Sequence, residues 1–190
     1  TREVYGSECK PGIDNNEKIT VLLTQTKDDF GGYFNTGDEY PQSQVPTSNE
    51  REMIYFNVDY VTNPLAESYL AHEFIHLIIY NQKDRKNGIS EEIWLNEGRA
   101  EYSSALLGFS EVYKGSYLQK RVKTFSQKPG DPITEWKELA SDYGALNLFI
   151  QYLVDHYGIE VLADSLSLKE VGITSLNQSL EANGFLEDFS

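Results

Sequence analysis

Two of the chain's three histidines stand four residues apart, His72 and His76 in the run HEFIH, with Glu73 between them. On a helix that spacing puts both imidazoles on one face with β-carbons about 5–6 Å apart, which suits two nitrogens meeting one zinc ion at roughly 2.0–2.1 Å. Glu73 then lies about 100° around the helix, beside the metal and not on it, where a carboxylate can hold and deprotonate a zinc-bound water. The flanking residues, NPLAESYLA before and LIIYNQ after, leave too little polar face for these three to form a solvated strip. Burying two imidazoles and a carboxylate without partners would cost on the order of several kcal/mol, so a shared ligand is the better reading.

A catalytic zinc takes a third protein ligand and leaves its fourth position to water. No histidine follows His76 in H-x-x-G-x-x-H spacing, and the remaining one, His156, is far along the chain. The run WLNEGRAEY, residues 94–102, supplies Glu97 and Glu101 instead, four apart and on one face of the next predicted helix. One of them can reach the metal. The other can accept a hydrogen bond from the second ring nitrogen of a ligand histidine.

The helix carrying HEFIH is predicted to start at Thr62-Asn63-Pro64, with Asn63 as N-cap and Pro64 in the first turn, and to run to about Gln82. Its apolar residues lie on every face, the pattern of a buried helix. The charged segment KDRKNG, 83–88, reads as a turn, and a second helix spans about 90–109, with Glu91 and Glu92 in its first turn and Gly98 weakening its middle. A third helix covers about 112–125, KPGDP breaks the pattern, 133–139 is short and amphipathic, and 142–158 forms a long apolar helix closed by glycine. One or two short helices fill the tail. Upstream, KITVLLTQ (18–25) and MIYFNVDYV (53–61) read as strands joined by a long surface loop rich in glycine, proline and small polar residues. Strands first and helices after predict an α+β fold with a helical C-terminal half.

A chain of 190 residues, 39% hydrophobic, can bury a core of ordinary size and is expected to form one domain. Its net charge of -14 repels phosphate backbones and anionic membranes, which argues against a nucleic-acid partner. No window approaches the roughly 20 apolar residues of a membrane span, so a soluble chain is expected. Cys9 is the only cysteine, so no internal disulfide can form, and an inhibitory thiolate on the zinc is the weaker reading of it. The chain begins Thr1-Arg2 without methionine or an apolar signal segment, as a processed product or a trimmed one would. Asp14, Asn15, Asn16 and Glu17 have the oxygen-rich look of a partial calcium loop, with a plain turn as the simpler reading.

HEFIH followed by WLNEGRAEY resembles the gluzincin metallopeptidases. More of the chain is similar to one bacterial family, the hyicolysin-type neutral zinc metallopeptidases: the turn and strand IDNNEKITVLL, the GGYF stretch, SNE-x-EMIY and DYGALNLFIQYL. The resemblance implies His72, His76 and Glu97 as zinc ligands, Glu73 as general base and Glu101 as a partner of the first histidine. It implies a zincin-like fold, with a small mixed sheet and the active-site helix in residues 1–82 and a helical lobe bearing the third ligand in residues 83–190, together one catalytic domain.

The activity implied is that of a secreted or cell-surface zinc endopeptidase, monomeric, acting on proteins or peptides. Gluzincins commonly add a donor for the oxyanion; Tyr143, preceding Gly144 at the start of a long helix, is the first candidate, with Tyr152 and His156 behind it. Extended substrates in this clan pair with an edge strand above the active-site helix, which nominates Gly32, Tyr33, Tyr55 and Asn57 as substrate-binding residues. An aminopeptidase is the competing enzyme reading, although no G-x-M-E-N-type stretch occurs here. A zinc-stabilised binding module without turnover is the alternative outside enzymes.

Overall fold

The computed structural model describes residues 1–26, 30–109 and 112–189. After one helical turn, α1 (Arg2–Tyr5), the chain builds a three-stranded sheet from β1 (Thr20–Thr24), β2 (Gly32–Phe34) and β3 (Met53–Asn57), in the order β1-β3-β2. The central strand, β3, is buried along its whole length, as its run of apolar and aromatic residues requires. It runs parallel to β1, with Thr20 opposite Met53, and antiparallel to β2, with Tyr33 opposite Tyr55.

Two strand expectations shift. β2 lies within the stretch expected to be a loop, so the glycine-rich segment contributes an edge strand. β3 stops at Asn57 because the Asn57 side chain accepts a hydrogen bond from Asp59 N at 3.1 Å, turning the chain into a 3₁₀ turn at Val58–Tyr60. The long segment between β2 and β3 wraps around Asp38, fully buried, whose carboxylate accepts from Asn49 N (2.7 Å), the Tyr55 hydroxyl (2.7 Å) and Asn35 Nδ2 (3.1 Å).

Helices make up the rest: α2 (Ala66–Tyr80), α3 (Ile93–Leu107), α4 (Tyr117–Ser126), α5 (Ala140–Tyr157), α6 (Ile159–Ser167) and α7 (Gly172–Ala182). The molecule is thus α+β, with a small sheet and a mostly helical C-terminal part. α2 passes into a wider π turn at Asn81–Arg85 where a charged surface turn was expected. The reason is Lys83: wholly buried, its Nζ donates to the carbonyls of Ser165 (2.9 Å), Leu168 (2.9 Å) and Glu170 (2.5 Å) and lies 3.9 Å from Glu91. Glu91 also leaves the expected helix, buried against Arg99 at 2.6 Å and accepting from Gly172 N.

α4 starts at Tyr117, five residues after its expected start, because Ser116 caps it by accepting from Gln119 N at 3.0 Å. The segment 133–139 forms a turn and extended chain, not a regular element. One apolar core joins α2 (Ile75, Ile78, Ile79), α3 (Trp94, Leu95), α5 (Leu146, Ile150, Leu153) and the last two helices. Gly98 sits where α3 crosses α5: a Cβ there would lie 3.0 Å from both Leu146 and Ile150 side chains, so the residue that weakens the helix locally permits the crossing. Among the described residues, no helix is long and apolar enough to cross a membrane.

Candidate metal centre

α2 and α3 pack side by side and bring His72, His76 and Glu97 together. His72 Nε2 is 3.4 Å from one Glu97 carboxylate oxygen and His76 Nε2 is 3.6 Å from the other. Two ligands held 2.0–2.1 Å from one ion at the tetrahedral angle stand about 3.3–3.4 Å apart, so each histidine–carboxylate pair is spaced nearly as two zinc ligands are, and one donor atom from each of the three residues lies within 4.8 Å of the others. Two imidazole nitrogens and one carboxylate are donors that suit a divalent metal ion. The group fits a metal ion.

The remaining ring nitrogens are committed elsewhere. His76 Nδ1 meets Asn96 Oδ1 at 2.7 Å; donating its proton there leaves the Nε2 lone pair free to face the ion. His72 Nδ1 faces Glu101 at 3.5 Å. The other Glu101 oxygen accepts from Arg121 Nη1 at 2.8 Å and Asn147 Nδ2 at 3.2 Å, so helices α4 and α5 brace the carboxylate that braces the histidine.

Charge at the centre favours a cation. Burial pulls the His72 imidazolium down, but its contact with Glu97 and the charges of Glu101 and Glu73 outweigh this and hold its pKa at about 9. For Glu97, burial pushes the carboxyl up and the two histidines more than offset it, leaving the pKa below the ordinary value. A metal ion at this point takes the place of the proton that His72 otherwise holds.

Glu73 is 8% exposed and lines a cleft of about 460 Å³ together with Tyr33, Tyr80, Asn96, Glu97 and Tyr143. The paired glycines Gly31 and Gly32, where β2 begins, bring a backbone down onto this site. A Cβ at Gly32 would lie 2.7 Å from Tyr55 O and 3.3 Å from Glu73 Cγ, and one at Gly31 would lie 2.6 Å from the Tyr69 ring. Gly31 O accepts from Asn57 N at 2.8 Å. By antiparallel alternation the N–H and C=O groups of Gly32 and Phe34 therefore point away from β3, along the outer edge of the sheet. Tyr143 is held by Trp136 edge-on at 4.8 Å and by the Arg121 guanidinium 4.4 Å from its ring centre. Burial, then the charges of Glu97, Glu101 and Glu138, push its hydroxyl above the usual range, so it keeps its proton and can donate.

The structure therefore places Glu73, His76, Glu97, Gly32, Tyr33 and Tyr143 on one cleft, with His72 behind Glu97 and Glu101 behind His72. Tyr55 and Asn57, nominated from sequence as substrate-binding, do not line it. β3 already has a neighbour on each edge, and both side chains are buried in support roles. The Tyr55 ring stacks on Tyr33 at 4.4 Å, while Asn57 Nδ2 donates to Thr26 Oγ1 (2.8 Å) and Phe30 O (3.1 Å). Tyr152 and His156 stack on each other at 4.1 Å and lie outside the cleft. Cys9 is not part of the metal cluster; its Sγ contacts Pro11 O at 3.4 Å. The oxygens of Asp14 and Asn16 accept from Asn16 N (3.0 Å) and Lys18 N (3.1 Å), the hydrogen bonds of a turn.

Asn96, Arg121 and Asn147 were not anticipated. Asn96 precedes Glu97, and its place one residue before the third ligand was a usable signal; Arg121 and Asn147 come from distant helices and carry no local mark. Comparison of the chain with protein-family models and with curated proteins finds no match.

Proposed function

We propose that the chain is a zinc-dependent endopeptidase of the gluzincin type, with a zincin-like fold, acting on proteins or peptides in a secreted or cell-surface setting. The observation that carries the reading is the convergence of His72, His76 and the Glu97 carboxylate, with donor atoms within 4.8 Å of one another, beside the buried Glu73. The resemblance of HEFIH and WLNEGRAEY to gluzincin motifs supports the same assignment independently of the geometry.

A zinc ion at this point supplies Lewis acidity, polarising a substrate carbonyl and making water a better acid. Glu73 takes the proton of the attacking water and delivers it to the leaving nitrogen. Tyr143, kept protonated by its surroundings, donates a hydrogen bond to the carbonyl oxygen as charge builds on it. The outer edge of β2 offers Gly32 and Phe34 backbone groups to an extended peptide, and the Tyr33 side chain, stacked on Tyr55, stiffens that wall. Glu73 argues against a purely structural metal site, which has no use for a carboxylate beside the ligands.

An amino-terminally acetylated peptide separates the two peptidase readings. Cleavage at an internal bond is expected for the zinc-loaded protein. Release of amino-terminal residues only, and only from the unblocked peptide, would make the enzyme an aminopeptidase and overturn the proposal.

A further inference from the structure

A second group of carboxylates lies away from the cleft. Glu39 and Glu52 are each 2% exposed, and three of their four oxygens, both of Glu39 and Oε2 of Glu52, have no hydrogen-bond partner. The fourth, Oε1 of Glu52, accepts from Ile13 N at 2.9 Å. Leaving buried carboxylate oxygens unmet is expensive, and native folds avoid it. The contrast with Asp38 is direct: one residue before Glu39, it meets four donors with its two oxygens. The fold satisfies one buried acid fully and leaves the adjacent pair short of positive charge and donors. Burial, the neighbouring charge of Glu52 and a hydrogen bond between the two side chains, made when one carries a proton, push the Glu39 carboxyl up to about 8, and Arg85, the cation that opposes this, is itself exposed.

The two residues bracket a long connection. Glu39 ends the 3₁₀ turn Thr36–Glu39, and Glu52 immediately precedes β3, its carbonyl accepting from Thr20 N at the start of β1. The turn that begins at Gly12 closes directly on the pair: a Cβ at Gly12 would fall 1.5 Å from Glu52 Oε2. Only a residue without a side chain fits there.

We propose that Glu39 and Glu52 form a second cation site, separate from the histidine centre, that takes a calcium ion. The donors are hard oxygens with no imidazole, which suits calcium or magnesium and not zinc. Calcium accepts carboxylates in irregular geometry, whereas magnesium keeps most of its water, so an interior site with little exposure selects calcium. The ion clamps three pieces of chain: the turn at residues 12–16, the connection at 40–51 and the first residues of β3. This inference does not depend on the peptidase reading.

The test is calorimetric titration of CaCl2 into the zinc-loaded protein in calcium-free buffer, with thermal melting of the wild type, Glu39→Gln and Glu52→Gln. The expected result is one calcium per chain and a melting temperature raised by roughly 5–10 °C at a hundredfold excess over Kd, with both effects lost in either variant. A wild type that neither binds calcium nor shifts overturns the proposal. A shift that is equal in the variants also overturns it, marking diffuse association with a chain of net charge -14. A calcium-blind wild type that instead loses stability from pH 5 to pH 8 overturns it in favour of a proton shared by the pair. Limited proteolysis of the wild type covers the case in which neither variant folds: calcium must protect bonds within 40–51, and unchanged cleavage refutes the clamp.

Discussion

Asn96→Ala tests how the centre is built, because it removes one acceptor without changing charge. Asn96 Oδ1 lies 2.7 Å from His76 Nδ1 and is the partner that directs the Nε2 lone pair toward Glu97. Without it the imidazole can take the other tautomer or rotate, and the Nδ1–H loses its acceptor in a partly buried place. Partners of this kind typically contribute 10–100-fold in metal affinity, or about 1.4–2.7 kcal/mol at 1.36 kcal/mol per decade. That range matches the roughly 1–3 kcal/mol for leaving a buried donor unmet. Competition with a chromophoric chelator should therefore show zinc bound 10–100-fold more weakly, while Asn96→Asp, which restores an acceptor and adds negative charge, binds at least as tightly as the wild type. At saturating zinc, Asn96→Ala should recover most of its kcat. Zinc affinity within twofold of the wild type would show that His76 is oriented by something else, and the reasoning would fail.

Tyr143→Phe should lower kcat by about 10²–10³-fold with zinc content unchanged, as removal of one donor to a developing oxyanion does; an unchanged kcat removes Tyr143 from the mechanism. Gly32→Ala forces β2 away from Tyr55 O, 2.7 Å from the new Cβ, so activity should fall while zinc binding, which rests on α2 and α3, persists; full activity would show that β2 does not position substrate. Lys83 is pushed down by burial, opposed by Glu91, to a pKa of about 8. Because the unfolded chain holds that proton up to about 10.5, the folded protein binds fewer protons between those values, and stability contributed by this group rises with pH from about 8 to 10.5. Urea midpoints should show this rise in the wild type and lack it in Lys83→Met, which should also be less stable throughout because Glu91 loses a buried partner. Equal pH profiles for the two proteins would place the Lys83 charge outside the balance.

The parts of the centre legible in the sequence are those encoded by helical spacing within one element. His72, Glu73 and His76 announce themselves by an i, i+4 pair inside an apolar helix, and Glu97 and Glu101 by the same spacing on the next. What could not be read depends on packing between elements. GGYF looks like a loop because glycine disfavours strands, yet its glycines are required by close approach to Tyr69, Tyr55 and Glu73. KDRKNG looks like a solvated turn because five of its residues are charged or amide, yet Lys83 is drawn inward by three carbonyls from the end of α6 and the residues just after it. Tyr55 and Asn57 sit in the strand nearest the motif in sequence, but strand order places β2 and not β3 at the cleft. Arg121, Asn147, Glu39 and Glu52 gain their meaning only from partners far along the chain.

The most direct measurement is bound zinc together with cleavage of casein, compared between the wild type and Glu73→Ala. The account predicts one zinc per chain in both and cleavage by the wild type alone. Cleavage that survives in Glu73→Ala, or a wild type that binds no zinc, would contradict it.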